Sequence, residues 1–314
     1  MEKKVSYIIV TWNNEEIIKE CLTSLLRFAA YETEVIVVDN DSKDSTCDVI
    51  RKLNRKEIKI IETHKNLGFS KANNVGVMEA TGNYIFFVNP DVIFIEDITT
   101  PMIEVLEKNR HVGIVSPRLL YKDGSFQVSC CNFPSAKKVL WDDLHLYKFI
   151  PETKVMELAQ AQYRGDENHF VDWTYGAAHL CRTEDLNMVG GYPEGYFMYG
   201  EDTEFCMFFK NKLNKGTYYL WDCELIHLGG FSEKQVVNSK KVIYGTNAAI
   251  YFVKKYYGVK ACVEYRIMLG ISSFLKILVY TVMEIFSANE RYKNEKGKWL
   301  LSLNTVIHYR GTQN

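Results

Sequence analysis

Over the first 120 residues, short apolar runs alternate with stretches in which apolar residues recur every three or four positions. Val5–Val10, Glu34–Val38, Ile58–Ile61, Tyr84–Val88 and Val112–Ser116 have the length and the β-branched or aromatic content of buried strands. Between them, Ile17, Ile18, Cys21, Leu22, Leu25 and Leu26 give Glu15–Arg27 the spacing of an amphipathic helix. A second helix is predicted from Ser42-Lys43-Asp44 to about Leu53, with a serine or aspartate available as its N-cap. Gly68–Ala80, ended by Thr81-Gly82, and about Asp97 to Asn109 complete the set. Regular strand–helix alternation predicts an α/β fold whose parallel strands are joined by right-handed crossovers.

The pattern then changes twice. Residues 117–170 are irregular and rich in aromatic and charged residues, and are read as loops and short helices that shape an acceptor site. After about residue 240 the chain turns helical and strongly apolar, so the expected division is a ligand-binding domain over 1–240 and a helical region over 241–314. Tyr265–Phe286 has 22 residues, with Arg266, Lys276 and Glu284 as its charges. A membrane-spanning helix needs about 20 mostly apolar residues. Lys276 near the centre, with Ser272 and Ser273, weighs against a clean span, and the surrounding lysines and arginines favour an amphipathic helix lying at a membrane surface. A helix packed on the domain fits the same periodicity.

The chain is 47% hydrophobic over 314 residues, enough for a sizeable core, and its formal net charge of -1 lacks the basic excess of a nucleic-acid binder. Eight cysteines form no C-x-x-C pair, and the first apolar run is too short for a signal peptide. Both point to free thiols in the cytoplasm. The glycine-rich nucleotide fingerprints G-x-G-x-x-G and G-x-x-x-x-G-K-[ST] are missing, so a nucleotide site would have to be built differently.

Chemistry concentrates at a few places. Tyr84–Val88 runs straight into Asn89-Pro90-Asp91, where Pro90 has no backbone donor and tends to stop the ladder. Asp91 is thereby held at the carboxyl end of a core strand, where open α/β sheets place ligands, and a hard cation holding a diphosphate needs one or two such carboxylates. Asp39 ends the second strand and could accept from a pyrimidine N3–H, or cap the next helix. Asn66-Leu67-Gly68-Phe69 precedes a helix and is either a phosphate-facing loop or an ordinary turn. Glu201, Asp202 and Glu204 crowd three carboxylates into four residues after Gly200, which implies a cation, a base role or solvent. His227, before Gly229-Gly230, is either structural or part of a phosphate-facing loop.

In this order, Ile8-Ile9-Val10-Thr11-Trp12-Asn13-Asn14, Val37-Val38-Asp39-Asn40, Asn66-Leu67-Gly68-Phe69, Phe87-Val88-Asn89-Pro90-Asp91, Val171-Asp172-Trp173-Thr174-Tyr175-Gly176-Ala177 and Gly200-Glu201-Asp202 resemble the inverting glycosyltransferases of family 2. The resemblance covers about residues 5–232 and is most like bacterial rhamnosyltransferases of polysaccharide biosynthesis. It implies a GT-A (Rossmann-like), mostly parallel central sheet flanked by helices, with a C-terminal helical extension. It also implies a metal-dependent transfer, with dTDP-L-rhamnose as the expected donor, a saccharide or lipid-linked saccharide as acceptor, and Mg²⁺ or Mn²⁺ as cofactor. The alternatives are a UDP-sugar donor, as for a galactosyl or N-acetylglucosaminyl transferase, or a non-catalytic sugar-nucleotide-binding scaffold. Carried onto this sequence, Thr11, Trp12 and Asp39 would hold the nucleoside, with Asn13 also on the donor, and Asn66, Gly68 and Asn73 would lie along the nucleotide. Many relatives have an arginine where Asn73 stands. Asn89 replaces the first acid of the family's Asp-x-Asp, Asp91 remains as metal ligand, and His227 would add a metal or phosphate contact. Asp202 matches the general base, Glu201 would position acceptor or base, and Asp172, Trp173 and Gly176 would lie near the acceptor and donor sugar. The expected location is the cytoplasm or the inner face of the cell membrane, with the membrane surface and a second copy of the chain as further candidate partners and no nucleic acid.

Overall fold

The computed structural model describes residues 3–149, 167–196, 198–229, 238–287 and 289–309. The chain forms β1 (Lys4–Thr11), α1 (Ile18–Phe28), β2 (Glu32–Asp39), α2 (Thr46–Lys52), β3 (Ile58–Glu62), α3 (Phe69–Met78), β4 (Tyr84–Val88), β5 (Val92–Phe94), α4 (Thr99–Lys108), β6 (Val112–Leu120) and β7 (Phe126–Gln127). After α5 (Ala136–Asp143) come β8 (His169–Val171), β9 (Ala178–Arg182), α6 (Thr183–Val189), α7 (Glu201–Leu213), β10 (Gly216–His227), α8 (Asn238–Phe286) and α9 (Glu290–Ile307). Two compact units result: the strands β1–β10 with α1–α4, α6 and α7, and a helical unit of α5, α8 and α9.

The sheet order is β3-β2-β1-β4-β9-β6-β10-β5, with β7 on β6 and β8 on β10. The expected parallel alternation holds for β3, β2, β1 and β4. Beyond β4, β9 inserts antiparallel between β4 and β6, and β10 runs parallel to β6 but antiparallel to β5 and β8. The central runs are continuously apolar because both faces are covered. Val5, Tyr7 and Ile9 share one core with α1 and α4, while Ile36 and Val38 of β2 pack with Ala72 of α3 on the other face. The α3 helix lies so close to β1 that a Cβ on Gly76 would stand 2.6 Å from Ile8 Cγ2. Helix α2 starts at Thr46, later than the sequence suggests, because Asp44 Oδ1 accepts from the Thr46 N–H and Ser42 Oγ accepts from the Asn13 N–H.

In the helical unit, α8 breaks at Gly258, whose φ of 86° and ψ of 178° leave the helical region. Val139, Ile250, Val253, Cys262, Tyr265, Leu269 and Val306 form its core. All three charges of Tyr265–Phe286 turn toward the neighbouring helices. Arg266 donates to the Val306 carbonyl at the end of α9, at 2.6 Å from Nη2, and Glu284 pairs with Lys296. Lys276 is buried; burial lowers its pKa and the nearby Asp143 carboxylate opposes that shift. Asp143 in turn accepts from Ser272 Oγ at 2.5 Å, and its pKa is pushed up to about 6 by burial. The opposite face of α8 exposes Ile267, Ile271, Phe274, Leu278, Val282 and Ile285. Lys276 therefore does not interrupt the apolar stripe as its place in the sequence suggests. Residues 239–286 are long and apolar enough to cross a membrane.

Candidate active site

The loops that leave the carboxyl ends of β1, β2 and β3 are tied to one another. Thr11 and Asp39 are register partners at the ends of β1 and β2. Thr11 Oγ1 and the Trp12 N–H both donate to Asn14 Oδ1, at 3.0 and 2.9 Å. Asn13, at a φ of 52°, accepts from the Lys43 N–H at 2.7 Å and so pins the loop after β1 to the loop after β2. Asn40 bridges to the third loop, donating to Asn66 Oδ1 at 3.1 Å and accepting from the Leu67 N–H at 2.7 Å. Gly68, at a φ of 79°, opens α3, and its N–H donates to Asn66 Oδ1. Asp39 is buried; one carboxylate oxygen accepts from the Ser42 N–H at 3.1 Å and Oδ1 has no hydrogen-bond partner among the described residues. A buried acceptor without a donor is costly unless a ligand supplies one.

The loop after β4 carries the second half. The Asn89 N–H donates to the Ala177 carbonyl at 2.9 Å, joining the Asn-Pro-Asp turn to the Gly176-Ala177 segment. Gly176 in turn donates its N–H to Asp202 Oδ2 at 2.8 Å. The approach is so close that a Cβ at Gly176 would lie 2.3 Å from Asp202 Oδ1. The Gly-Ala step is thus a backbone cradle for the Asp202 carboxylate. Gly200, at a φ of 90°, makes the turn that starts α7 with Glu201 and Asp202 in its first turn. Burial raises the Asp202 pKa against the pull of the Gly176 N–H. Burial raises that of Glu201 as well, with the neighbouring Asp202 charge adding to it. Glu201 Oε2 is buried with no hydrogen-bond partner among the described residues. The floor beneath is aromatic: Tyr192 stacks on Phe205 at 4.0 Å, and His179, its pKa lowered to about 4 by burial, lies between Thr174 Oγ1 and the Tyr192 hydroxyl.

Asp91 and His227 meet through strand pairing. Val92 opposes His227 across β5 and β10, and the Leu228 N–H donates to the Asp91 carbonyl at 2.9 Å. Asp91 Oδ1 and His227 Nε2 are 3.3 Å apart, both largely buried. The other ring nitrogen, Nδ1, is 2.8 Å from Gln127 Oε1. Among the described residues there is no group of three or more His, Cys, Asp or Glu side chains able to hold a metal ion. The pair nonetheless fits a divalent cation that completes its shell with water and phosphate oxygens: one carboxylate and one imidazole converge, with the far side of the ring held by an acceptor.

Three further predicted residues have partners of their own within the protein. Asn73 is buried and its amide donates to the Phe69 carbonyl at 3.1 Å, one turn back in α3. Asp172 pairs with Lys210 of α7 at 3.0 Å, and Trp173 packs against Tyr175 with ring centres 5.6 Å apart. Two contributors escaped the sequence reading. Asn14 organises the first loop, and Gln127 reaches His227 from 100 residues away through the β6–β7 ladder. Asn14 acts within its own loop, on Thr11 and Trp12, whereas Gln127 carries no spacing signal because it acts through a pairing that only the folded sheet creates.

The family model described as glycosyl transferase family 2 matches residues 6–172. Poly-beta-1,6-N-acetyl-D-glucosamine synthase of Staphylococcus epidermidis is 27% identical over 121 residues, 38% of this chain but only 29% of that protein. Rhamnosyltransferase WbbL of Escherichia coli (strain K12) is 28% identical over 215 residues, 65% of this chain and 75% of that protein. Among solved structures, the mannosyltransferase PcManGT from Pyrobaculum calidifontis in complex with GDP-Man and Mn²⁺ superposes with a TM-score of 0.58 at 14% identity, over 98% of this chain and 87% of that one. That likeness shows a shared fold, the GT-A arrangement.

Proposed function

Because the chain belongs to glycosyl transferase family 2, we propose that it is an inverting, metal-dependent glycosyltransferase of cell-surface polysaccharide synthesis. The observation that carries this is the pairing of two devices at one end of the sheet. A carboxylate–imidazole pair, Asp91 and His227, suits a cation on a diphosphate, and a cradled carboxylate, Asp202, has its pKa raised toward the working range of a base. Mg²⁺ or Mn²⁺ held by Asp91 and His227 would supply neutralisation of charge on the leaving diphosphate. The residues of the chain do the rest. Asp39 and the loop after β1 hold the nucleoside, and the Asn66–Gly68 loop lies along the nucleotide. Asn89 shares the donor side with Asp91, and Asp172, Trp173 and Gly176 border the acceptor. Asp202 takes the proton of the acceptor hydroxyl as its oxygen bonds to the anomeric carbon, and the nucleoside diphosphate leaves from the opposite face with its electron pair. Gly176 holds Asp202 in place for that transfer. The donor we propose is dTDP-L-rhamnose, supported by the likeness to WbbL; a UDP-sugar is the outcome the synthase likeness would favour.

The test is a panel of sugar nucleotides with Mn²⁺ and the purified protein, followed by the Asp202→Asn variant on whichever donor is turned over. Loss of a general base costs about 10²–10⁴-fold in rate. A wild-type rate in Asp202→Asn removes Asp202 from the role, and no turnover or metal-linked binding of any donor favours the scaffold reading.

We place the protein at the inner membrane face through the exposed stripe of α8. The stripe is flanked by exposed Lys254, Lys255 and Lys260 at one end and Arg291 and Lys293 at the other. The full chain is expected to sediment with anionic vesicles, less so at high salt, and Phe274→Asp with Leu278→Asp to abolish it while nucleotide binding persists. A chain that ignores vesicles but forms a dimer split by the same substitutions would assign the stripe to a second copy.

A further inference from the structure

Gln127 lies outside every motif of the sequence, in a two-residue strand held opposite Leu119 of β6. It is 7% exposed. Its Oε1 stands 2.8 Å from His227 Nδ1, while His227 Nε2 faces Asp91 Oδ1 at 3.3 Å. An amide oxygen can only accept, so the hydrogen of this bond belongs to Nδ1. Nε2 is then the ring atom left to face the carboxylate. With the amide turned over, its N–H group would donate to Nδ1, the hydrogen would move to Nε2, and His227 and Asp91 would close on each other as an ordinary hydrogen bond with no lone pair for a cation. The amide therefore selects between a cation-binding and a purely structural His–Asp pair.

We propose that Gln127 is a positioning residue of the cation site, fixing His227 in the tautomer that presents Nε2 beside Asp91. The inference rests on the reading of Asp91 and His227 as the metal pair. Ligating histidines generally donate their second ring N–H to an acceptor, which sets both ring orientation and basicity. The neighbouring backbone leaves room for the amide. Gly229, at a φ of +67°, passes so near that a Cβ there would stand 3.1 Å from Gln127 Nε2. A side chain at 229 would press on the amide, which gives a physical reason for glycine two residues after the histidine.

The test combines metal affinity with a direct view of the ring. Mn²⁺ binding to the full chain is titrated by electron paramagnetic resonance with UDP, dTDP or GDP present. Gln127→Met, close in shape but without the strong acceptor, should weaken Mn²⁺ binding about 10–100-fold, the usual effect of losing an outer-shell partner. Gln127→Glu, which keeps an acceptor, should retain most of the affinity. In the metal-free wild type, ¹⁵N imidazole spectra should show the His227 hydrogen on Nδ1, and in Gln127→Met this fixed tautomer should be lost. Unchanged affinity in Gln127→Met, equal losses in the Met and Glu variants, or a hydrogen on Nε2 in the wild type each overturn the inference. A wild-type protein that binds no Mn²⁺ with any of the three nucleotides overturns the metal reading and this inference with it. Binding that survives Gln127→Met unchanged overturns the inference alone.

Discussion

β9 runs from one end of the sheet to the other, and the protein treats buried charge differently at its two ends. At the far end, Arg182 opposes Tyr84, the first residue of β4. Its guanidinium donates to Asp185 at 2.9 Å and to the carbonyls of Val112 and Leu106. Asp185 is wholly buried, and Lys215 meets its other oxygen at 2.5 Å. Both oxygens of this carboxylate face a cation. At the near end, Ala178 opposes Val88, just before Asn89-Pro90-Asp91. Here Asp39 Oδ1 and Glu201 Oε2 are buried without hydrogen-bond partners among the described residues, and two acids sit side by side at the start of α7. The same strand thus joins a closed ion network to an open one. The closed network positions α6 against the sheet. The open one leaves acceptors that no described residue satisfies, which is what a site for a ligand and a cation requires.

The largest effect should come from breaking the closed end. Asp185→Ala leaves Arg182 and Lys215 without their shared carboxylate in a buried place. Removing one partner of a buried pair costs about 3–5 kcal/mol. Urea unfolding should show that loss as a lower midpoint at unchanged slope. A cost below about 1 kcal/mol, the range of exposed ion pairs, would put this network in the same class as the surface bridges and remove the contrast between the ends.

How much of this was legible in the sequence follows from what each feature depends on. Strands β1 to β4 and their helices show plainly, because continuous apolar runs and helical spacing are local properties: Val5–Val10 and Tyr84–Val88 lie where the strands are. Asp39, Asp91 and Asp202 stand out because a carboxylate beside a strand end or at a helix start is visible without the fold. β9 and the twelve-residue β10 do not announce themselves in the same way. Their partners are distant: Ala178 pairs across 90 residues with Val88, and Leu225 with Phe94. Gln127 and the Gly176 cradle depend on those pairings, so their roles follow from register. Lys276 was misleading for a related reason. Its charge suggests an interrupted stripe, but it turns inward among Asp143 and the neighbouring helices, and sequence spacing alone does not tell which face a lone lysine takes.

The smaller and more discriminating effect concerns the open end and has the opposite sign. Glu201 has its pKa raised, first by burial and then by the Asp202 charge. Below the ordinary glutamate value of about 4.3, the group is protonated both folded and unfolded and costs nothing. As pH rises past that value the unfolded chain ionises first, so stability falls until the folded group ionises too, and the cost is constant above that point. Each tenfold displacement of proton affinity corresponds to about 1.4 kcal/mol. Glu201→Gln removes this dependence while keeping the side chain's shape. It should be the more stable protein at pH 8, by about 1–3 kcal/mol, and equal to the wild type near pH 4. Asp202, raised in the same direction, keeps a shallower fall in the variant. Unfolding curves of both proteins from pH 4 to 8 read the difference directly. Deleting a buried acid would then destabilise the far end of β9 and stabilise the near end. If Glu201→Gln is instead the weaker protein at pH 8, the Glu201 carboxylate is held as Asp185 is, and the open end is a structural network after all.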